Sequence, residues 1–312
     1  MKNSTLSMTH EEWLKDRRNG IGGSDVATIL GLNKWKSPYQ LWLDKTGQLI
    51  NNEEQNEPAY WGNVLEEVVA KEFTERTGKK VRKRNQVFEH PLHPFLRANI
   101  DRDVVGENAI LECKTANAYL ANEWDGDEIP QAYLCQVQHY MNVLNRQYVY
   151  IAVLIGGQRF VWKKIERDQE LIDLITERLV NFWEINVLGN IEPPIDGSAA
   201  ATVFLKDRYK DIDTKEVSLG VKFDDLVHSR IDLKRSEKEI KTEIKRVENE
   251  IIQELGKNNA SIGITPNFVI DWKQQQRKSI DKNVLKEKYP DILADESIYK
   301  VSTYRTLKEK EI

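Results

Sequence analysis

Leu96-Arg97-Ala98-Asn99-Ile100-Asp101, then Val104-Val105, Gly106-Glu107-Asn108 and Ala109-Ile110-Leu111-Glu112-Cys113-Lys114-Thr115, make two apolar runs around a short Gly/Asn-containing break. Runs rich in Ile, Leu and Val on either side of such a break spell a β-hairpin. Alternate residues of a strand share a face, so Glu112 and Lys114 stand together while Leu111 and Cys113 point the other way. Asp101, on the partner strand, comes within reach of them. Asp101 and Glu112 are hard oxygen donors suited to Mg²⁺, which takes only one or two protein carboxylates and keeps waters or phosphate oxygens for the rest. A lysine beside such an ion orients water and neutralises charge on a scissile phosphate. The same spacing also fits a plain amphipathic hairpin with its charges in water, so the rest of the chain has to decide.

The 312 residues suffice for one sizeable core and a second, smaller unit. The composition, 40% hydrophobic and 31% charged, is that of an ordinary globular protein. A net charge of −4 excludes a globally basic nucleic-acid binder, so any DNA contact has to come from a local cationic surface. No apolar run is long enough to span a membrane, and the polar start Met1-Lys2-Asn3-Ser4-Thr5 lacks the apolar centre of a signal peptide. Two cysteines, Cys113 and Cys135, are too few for a disulfide framework or a cysteine-rich metal site and read as buried thiols. The expectation is a cytoplasmic protein without membrane contact.

Upstream, residues 11–18 read as a short helix with Thr9 as N-cap, and Asn19-Gly20-Ile21-Gly22-Gly23-Ser24-Asp25 opens a second helix over 26–30. Three glycines ahead of a Ser/Asp helix start let backbone N–H groups approach an anion, with Arg17, Arg18 and the Ser24 hydroxyl completing a phosphate cradle; a glycine linker with an N-cap fits equally well. No Gly-Lys-Ser/Thr follows, which excludes a nucleotide P-loop. Ser37-Pro38 starts a helix over 39–45, with Trp35, Tyr39 and Trp42 expected in the core. Pro58 opens a long helix over 59–77, whose buried stripe is expected to be Trp61, Leu65, Val68, Val69 and Phe73. Glu66 adjoins that stripe beside Gly62, Asn63 and Ala70, small neighbours that leave room for a metal or a DNA backbone; helix-surface charge is the plainer reading, and Glu67 faces solvent.

Residues 81–88 read as a strand carrying the basic Arg82, Lys83 and Arg84. After the central hairpin, a helix over 130–144 places Gln136 and Tyr140 on one face, with His139 one residue off it. Residues 148–155 and 159–165 flank Gly156-Gly157 as a second hairpin, and an amphipathic helix over 169–187 follows. This order predicts a mixed sheet with helices on its faces, an α/β or α+β architecture.

The spacing of these pieces resembles the λ-exonuclease-like nucleases of phages, the YqaJ-type viral recombinases, within the PD-(D/E)xK superfamily, over about residues 10–190. Arg17 and Gly22-Gly23-Ser24-Asp25 look like the family's N-terminal Arg…Ser element; Trp61-Gly62-Asn63-x-x-Glu66 looks like the helix that lends a carboxylate. Asn99-Ile100-Asp101 and Leu111-Glu112-Cys113-Lys114 look like the diagnostic acid and ExK, and Gln136-Val137-Gln138-His139-Tyr140 like the following Qxxx(Y). One departure is that Ile100 stands where the motif's name has Pro. The resemblance implies a restriction-endonuclease-like core and a nuclease in which Asp101, Glu112, the Cys113 main-chain carbonyl and Glu66 hold Mg²⁺ or Mn²⁺. It further implies that Lys114 and Gln136 serve the attacking water, that Arg17 and Ser24 bind a DNA phosphate such as the 5′ terminal one, and that Tyr140 supports the helix or touches the backbone. Double-stranded DNA ends are then the substrate, and a phage-type single-strand annealing protein is the expected partner. The function expected is a 5′→3′ double-strand exonuclease; an endonuclease of the same fold and a non-catalytic DNA-binding recombination adaptor are the alternatives.

Gly189, Pro193-Pro194 and Gly197 end this unit, setting a nuclease domain at 1–195 and an extension at 196–312. Within the extension a charged helix over 221–256 carries Leu226, Leu233, Ile240 and Val247 every seven residues, while Arg230 and Glu237 fill companion positions. A packed helix, a helical hairpin and a coiled coil all fit that pattern, and an oligomerisation device, giving a homo-oligomer, is the second reading of the extension's role. A small α/β segment over 262–312, with strands at 264–272 and 298–307, is expected to bind DNA or a partner.

Overall fold

The computed structural model describes residues 8–49, 57–212, 215–300 and 306–310. The chain forms two compact units, Met1–Asp211 and Ile212–Ile312. In the first, helices α1 (His10–Arg17), α2 (Gly23–Ile29), α3 (Pro38–Lys45) and α4 (Glu57–Thr77) precede strands β1 (Val81–Lys83), β2 (Phe88–Glu89), β3 (Arg97–Ala98), β4 (Arg102–Val104) and β5 (Ala109–Ala116). Helix α5 (Gln131–Leu144), strands β6 (Tyr148–Ile155) and β7 (Arg159–Glu166), and helices α6 (Gln169–Asn181) and α7 (Ala199–Arg208) complete it. The last of these, placed by its sequence in the extension, belongs to the first compact unit.

The main sheet is five-stranded and mixed, in the order β1-β4-β5-β6-β7. Only β5 and β6 run parallel, and α5 makes the crossover that a parallel pair requires. Strand β6 is buried along nearly its whole length, whereas edge strand β7 alternates exposed and half-buried residues, as one covered face demands. Gly156 and Gly157, both at positive φ, turn β6 into β7.

Local chemistry explains the helix starts. Thr9 caps α1 with a reciprocal capping box to Glu12, and Ser37 caps α3 ahead of Pro38. One core, gathered around Ile21, Leu41, Trp42, Leu96, Met141, Ile151 and Phe182, packs α2, α3, α5 and α6 on one face of the sheet. A smaller one joins Val69, Ala70 and Phe73 of α4 to Leu111 and Tyr150 on the opposite face.

Four expectations need correction. The run 96–105 is not one strand: β3 pairs with β2 in a separate two-stranded ribbon, and only β4 joins the main sheet. The break falls at Asn99–Asp101, where the Asp101 side chain takes the Cys113 amide that a continuing strand's main chain would take. The predicted strand over 81–88 likewise splits into β1 and β2. Trp35 is exposed, and of the expected α4 stripe Val69 and Phe73 are buried, with Ala70 beside them, and Leu65 is half-buried, whereas Trp61 and Val68 are exposed.

In the second unit α8 (Lys222–Lys257) carries the predicted stripe, with Leu226, Leu233, Ile240 and Val247 all exposed. Strands β8 (Ile262–Ile264) and β9 (Val269–Asp271) form a hairpin rather than the single strand expected at 264–272, because Thr265 turns the chain by bonding Phe268. The expected strand at 298–307 falls partly outside the described residues; within them, Glu296–Ile298 is a 3-10 turn. No helix among the described residues is long and apolar enough to cross a membrane.

Candidate active site

The β4–β5 ladder pairs Arg102 with Leu111 and Asp103 with Ile110, and one further step along this register sets Asp101 opposite Glu112. Asp101 Oδ2 accepts the Cys113 amide at 2.7 Å, which fixes the carboxylate across the strand from Glu112. The Glu112 side chain is buried, and its Oε1 accepts from Lys114 Nζ at 2.6 Å and from Gln136 Nε2 at 2.7 Å. The other hydrogen of Gln136 Nε2 goes to the Tyr140 hydroxyl at 3.1 Å. Strand alternation on β5 therefore places Glu112 and Lys114 together, and the i,i+4 face of α5 brings Gln136 and Tyr140 onto them.

Burial and the neighbouring Glu112 push the Asp101 carboxyl well above its ordinary range. Burial works against the Lys114 ammonium, yet Glu112 and Asp101 outweigh it and hold the charged form. Glu112 Oε2 is buried and has no hydrogen-bond partner. A buried carboxylate with a bare oxygen beside a half-buried one is a donor set for a hard divalent cation. The Cys113 thiol is pushed upward by burial, then by Asp101 and Glu112, so it stays protonated and any contribution of Cys113 is its main-chain carbonyl.

Glu66 reaches the same neighbourhood from α4, but it is engaged. Its Oε1 bonds buried Arg102 and lies 3.3 Å from Lys83 Nζ, while Glu67 Oε2 takes the other arm of Arg102 at 2.7 Å. Among the described residues no three His, Cys, Asp or Glu side chains are grouped to hold a metal. The donor set as it stands is Asp101 and Glu112, which is enough for Mg²⁺ with water and substrate ligands. Arg82 and Arg84, read from the sequence as a cationic patch, are drawn to Asp103 at 3.7 and 2.7 Å.

Arg17, Ser24, Gly22, Gly23 and Tyr140 line a cavity of about 140 Å³, and Arg17 Nη2 donates to Ser24 Oγ at 2.9 Å. A second cavity of about 180 Å³ holds Asp101, Glu66 and Lys83. Trp13 and Asn99 line both, so the Arg17–Ser24 cavity and the carboxylates adjoin. The structure thus gathers Asp101, Glu112, Lys114, Gln136 and Tyr140 in one connected cluster, with Arg17 and Ser24 beside it and Glu66 turned to Arg102.

Sequence reasoning passed over Trp13, Arg102, and the pairing of Lys45 with Asp25 beneath the glycine loop. Lys45 Nζ donates to Asp25 Oδ2 at 2.7 Å and to the Arg17 carbonyl at 2.8 Å. The available signal was the apolar company of Lys45, since Leu41, Trp42 and Leu43 of the same helix are buried.

A family model described as the YqaJ-like viral recombinase domain matches residues 12–147. The protein YqaJ of Bacillus subtilis (strain 168) is 46% identical over 314 residues, covering 100% of this chain and 97% of that protein. In fold, the chain is similar to an alkaline exonuclease, LHK-Exo, from Laribacter hongkongensis, with a TM-score of 0.50 and 20% identity over 64% of this chain and 98% of that one. The structure of LHK-Exo in complex with dAMP gives a TM-score of 0.50 and 22% identity, over 65% and 100% of the two chains. A relative this similar along the whole length, together with the matched domain, places the chain in the YqaJ-like viral recombinase family.

Proposed function

We propose that the protein is a divalent-metal-dependent deoxyribonuclease that degrades duplex DNA from its ends in the 5′→3′ direction, leaving a single strand for a phage-type annealing protein. The observation that carries this reading is the contact between Lys114, Glu112 and Gln136 beside Asp101, next to the Arg17–Ser24 cavity. Membership of a viral recombinase family accords with it.

Asp101, Glu112 and the Cys113 carbonyl are the residues to hold Mg²⁺ or Mn²⁺, with Glu66 joining directly on leaving Arg102 or through a water. Bound there, such an ion supplies Lewis-acid polarisation of the scissile phosphate and a more acidic water. The Lys114 ammonium, anchored on Glu112 Oε1, orients that water and offsets charge growing on the phosphate oxygens. Gln136 fixes the Glu112 carboxylate and thereby Lys114, while Tyr140 braces Gln136. Arg17 and Ser24 take the 5′ terminal phosphate in the adjoining cavity, which sets the scissile bond a short distance from the chain end.

The test incubates the protein with linear 5′-phosphorylated duplex and with closed circles, with Mg²⁺ or with chelator, beside Lys114→Ala. Metal-dependent loss of the linear substrate alone, absent in the variant although it still binds DNA, is the expected result. Cut circles would overturn the exonuclease part, and cleavage by Lys114→Ala at the full rate would overturn the site.

A further inference from the structure

We propose that the buried Lys45–Asp25 pair is the positioning device of the Arg17–Ser24 cavity and sets its preference for a terminal phosphate over an unphosphorylated end. The inference rests on the reading of that cavity as the place where the 5′ phosphate sits.

Lys45 ends α3 and Asp25 lies in the first turn of α2; their side chains are 2% and 7% exposed. The polar contacts of the pair bear on the cavity wall. Lys45 Nζ donates to the carbonyl of Arg17, the residue whose guanidinium lines the cavity. Asp25 Oδ2, besides accepting from Lys45, accepts the Gly22 amide at 3.0 Å, and Oδ1 lies 3.7 Å from Arg17 Nη2. One ion pair therefore ties the end of α1, the glycine loop and α3 together, and places Arg17 where it donates to Ser24.

An apolar pair of equal volume would bridge α2 and α3 without the cost of desolvating two charges. Such a pair could neither hold the Arg17 carbonyl and the Gly22 amide nor balance the guanidinium from below. Burial alone would raise the Asp25 carboxyl, but Lys45 and Arg17 bring it below its ordinary range, so it is an anion wherever the pocket works. Arg17, Lys45 and Asp25 together carry one net positive charge, and that charge is what the cavity offers a ligand. A terminal phosphate carries up to two negative charges near neutral pH against one for an internal diester, and a 5′-hydroxyl carries none, so the pocket's grip falls on the phosphorylated end.

Lys45→Met alone strands a buried carboxylate and is expected to destabilise the fold. The informative variant is Asp25→Asn/Lys45→Met, which removes both charges and leaves an oxygen for the Gly22 amide. The readout is the ratio of kcat/KM on linear duplexes with 5′-phosphate and 5′-hydroxyl ends, measured for wild type, the double variant and Arg17→Ala, with melting curves alongside. A folded double variant whose ratio falls at least tenfold, through KM on phosphorylated ends and with 5′-hydroxyl ends cut as before, is the expected result. A folded double variant that keeps the ratio while Arg17→Ala loses it overturns the positioning role and leaves the pocket reading intact. If Arg17→Ala keeps the wild-type ratio, or wild type has no preference, the pocket reading fails and takes this inference with it.

Discussion

Gly23 and the Tyr140 ring occupy space that admits no side chain at position 23: a Cβ built there would lie 2.4 Å from Tyr140 Cε1 and 2.6 Å from its hydroxyl. Because Tyr140 is buried and its hydroxyl holds Gln136, the glycine loop and the carboxylate cluster are in mechanical contact through one ring. Gly23→Ala has to displace that ring, at a cost of about 1–3 kcal/mol for overpacking. Tyr140→Leu makes room, so the alanine should cost much less in that background than in wild type, a non-additivity that denaturant melts of the four proteins measure. Strictly additive losses would show that the ring is not what keeps residue 23 bare.

Gln136 uses both hydrogens of one nitrogen, on Glu112 and on Tyr140. Gln136→Met keeps the length and removes both bonds, leaving two buried oxygens short of a donor at roughly 1–3 kcal/mol. Its effect on turnover should be larger than that stability loss suggests, about 10–100-fold in kcat, the range seen when outer-shell partners of metal ligands are removed. DNA binding should be unchanged. Cleavage of linear duplex and gel-shift affinity, compared at a temperature where both proteins are folded, separate the two effects.

How far the sequence led follows from the range of the interactions concerned. Glu112 and Lys114 were legible because two residues along a strand always share a face, and Gln136 with Tyr140 because four along a helix do. The hairpin turn and the capped helix starts are local as well, and they stand where their residues put them. The capture of Glu66 by Arg102, across 36 positions, is a property of the fold alone. So is the burial of Lys45: a lysine ending a helix ordinarily reaches water, and here Asp25, 20 residues away, and the Arg17 carbonyl bring it inside. The two misplaced members of the α4 stripe have a related cause. Trp61 and Val68 fit the helical period, but the sheet face beneath is covered by Val69, Ala70 and Phe73, leaving the two outside.

Asp101 and Glu112 repel each other in the metal-free protein, which gives Asp101→Asn two effects of opposite sign. A carboxyl whose folded pKa is raised contributes stability below its unfolded value, 3.8, and loses it as the pH rises through the folded value. At pH 7.5, far above the unfolded value, the raised carboxyl is therefore a burden, and Asp101→Asn, which can still accept the Cys113 amide, should melt above wild type in chelator. With Mg²⁺ or Mn²⁺ added, wild type should gain stability by mass action while the variant gains little. The metal shift of wild type should also shrink as the pH is lowered and protons compete for the carboxylates. Equal metal shifts in the two proteins would remove Asp101 from the donor set.

His139, one residue from Tyr140 along α5, points into the core, where its Nε2 donates to the Arg97 carbonyl at 2.9 Å. Burial brings its pKa down from 6.5 to about 4, so the folded protein keeps the ring neutral where the unfolded chain protonates it. Between those two values the unfolded state binds more protons. Stability is then complete above pH 6.5 and falls with pH by at most about 1.4 kcal/mol per unit until the folded ring titrates near 4. His139→Gln keeps a donor for the carbonyl and removes the titration. Its stability deficit against wild type at pH 7.5 should narrow steadily at pH 6 and pH 5, and urea melts at the three values measure it. A deficit that stays constant would mean that His139 takes up its proton in the fold as readily as in the unfolded chain, and the acid sensitivity of the protein would then have to be sought among its paired carboxylates.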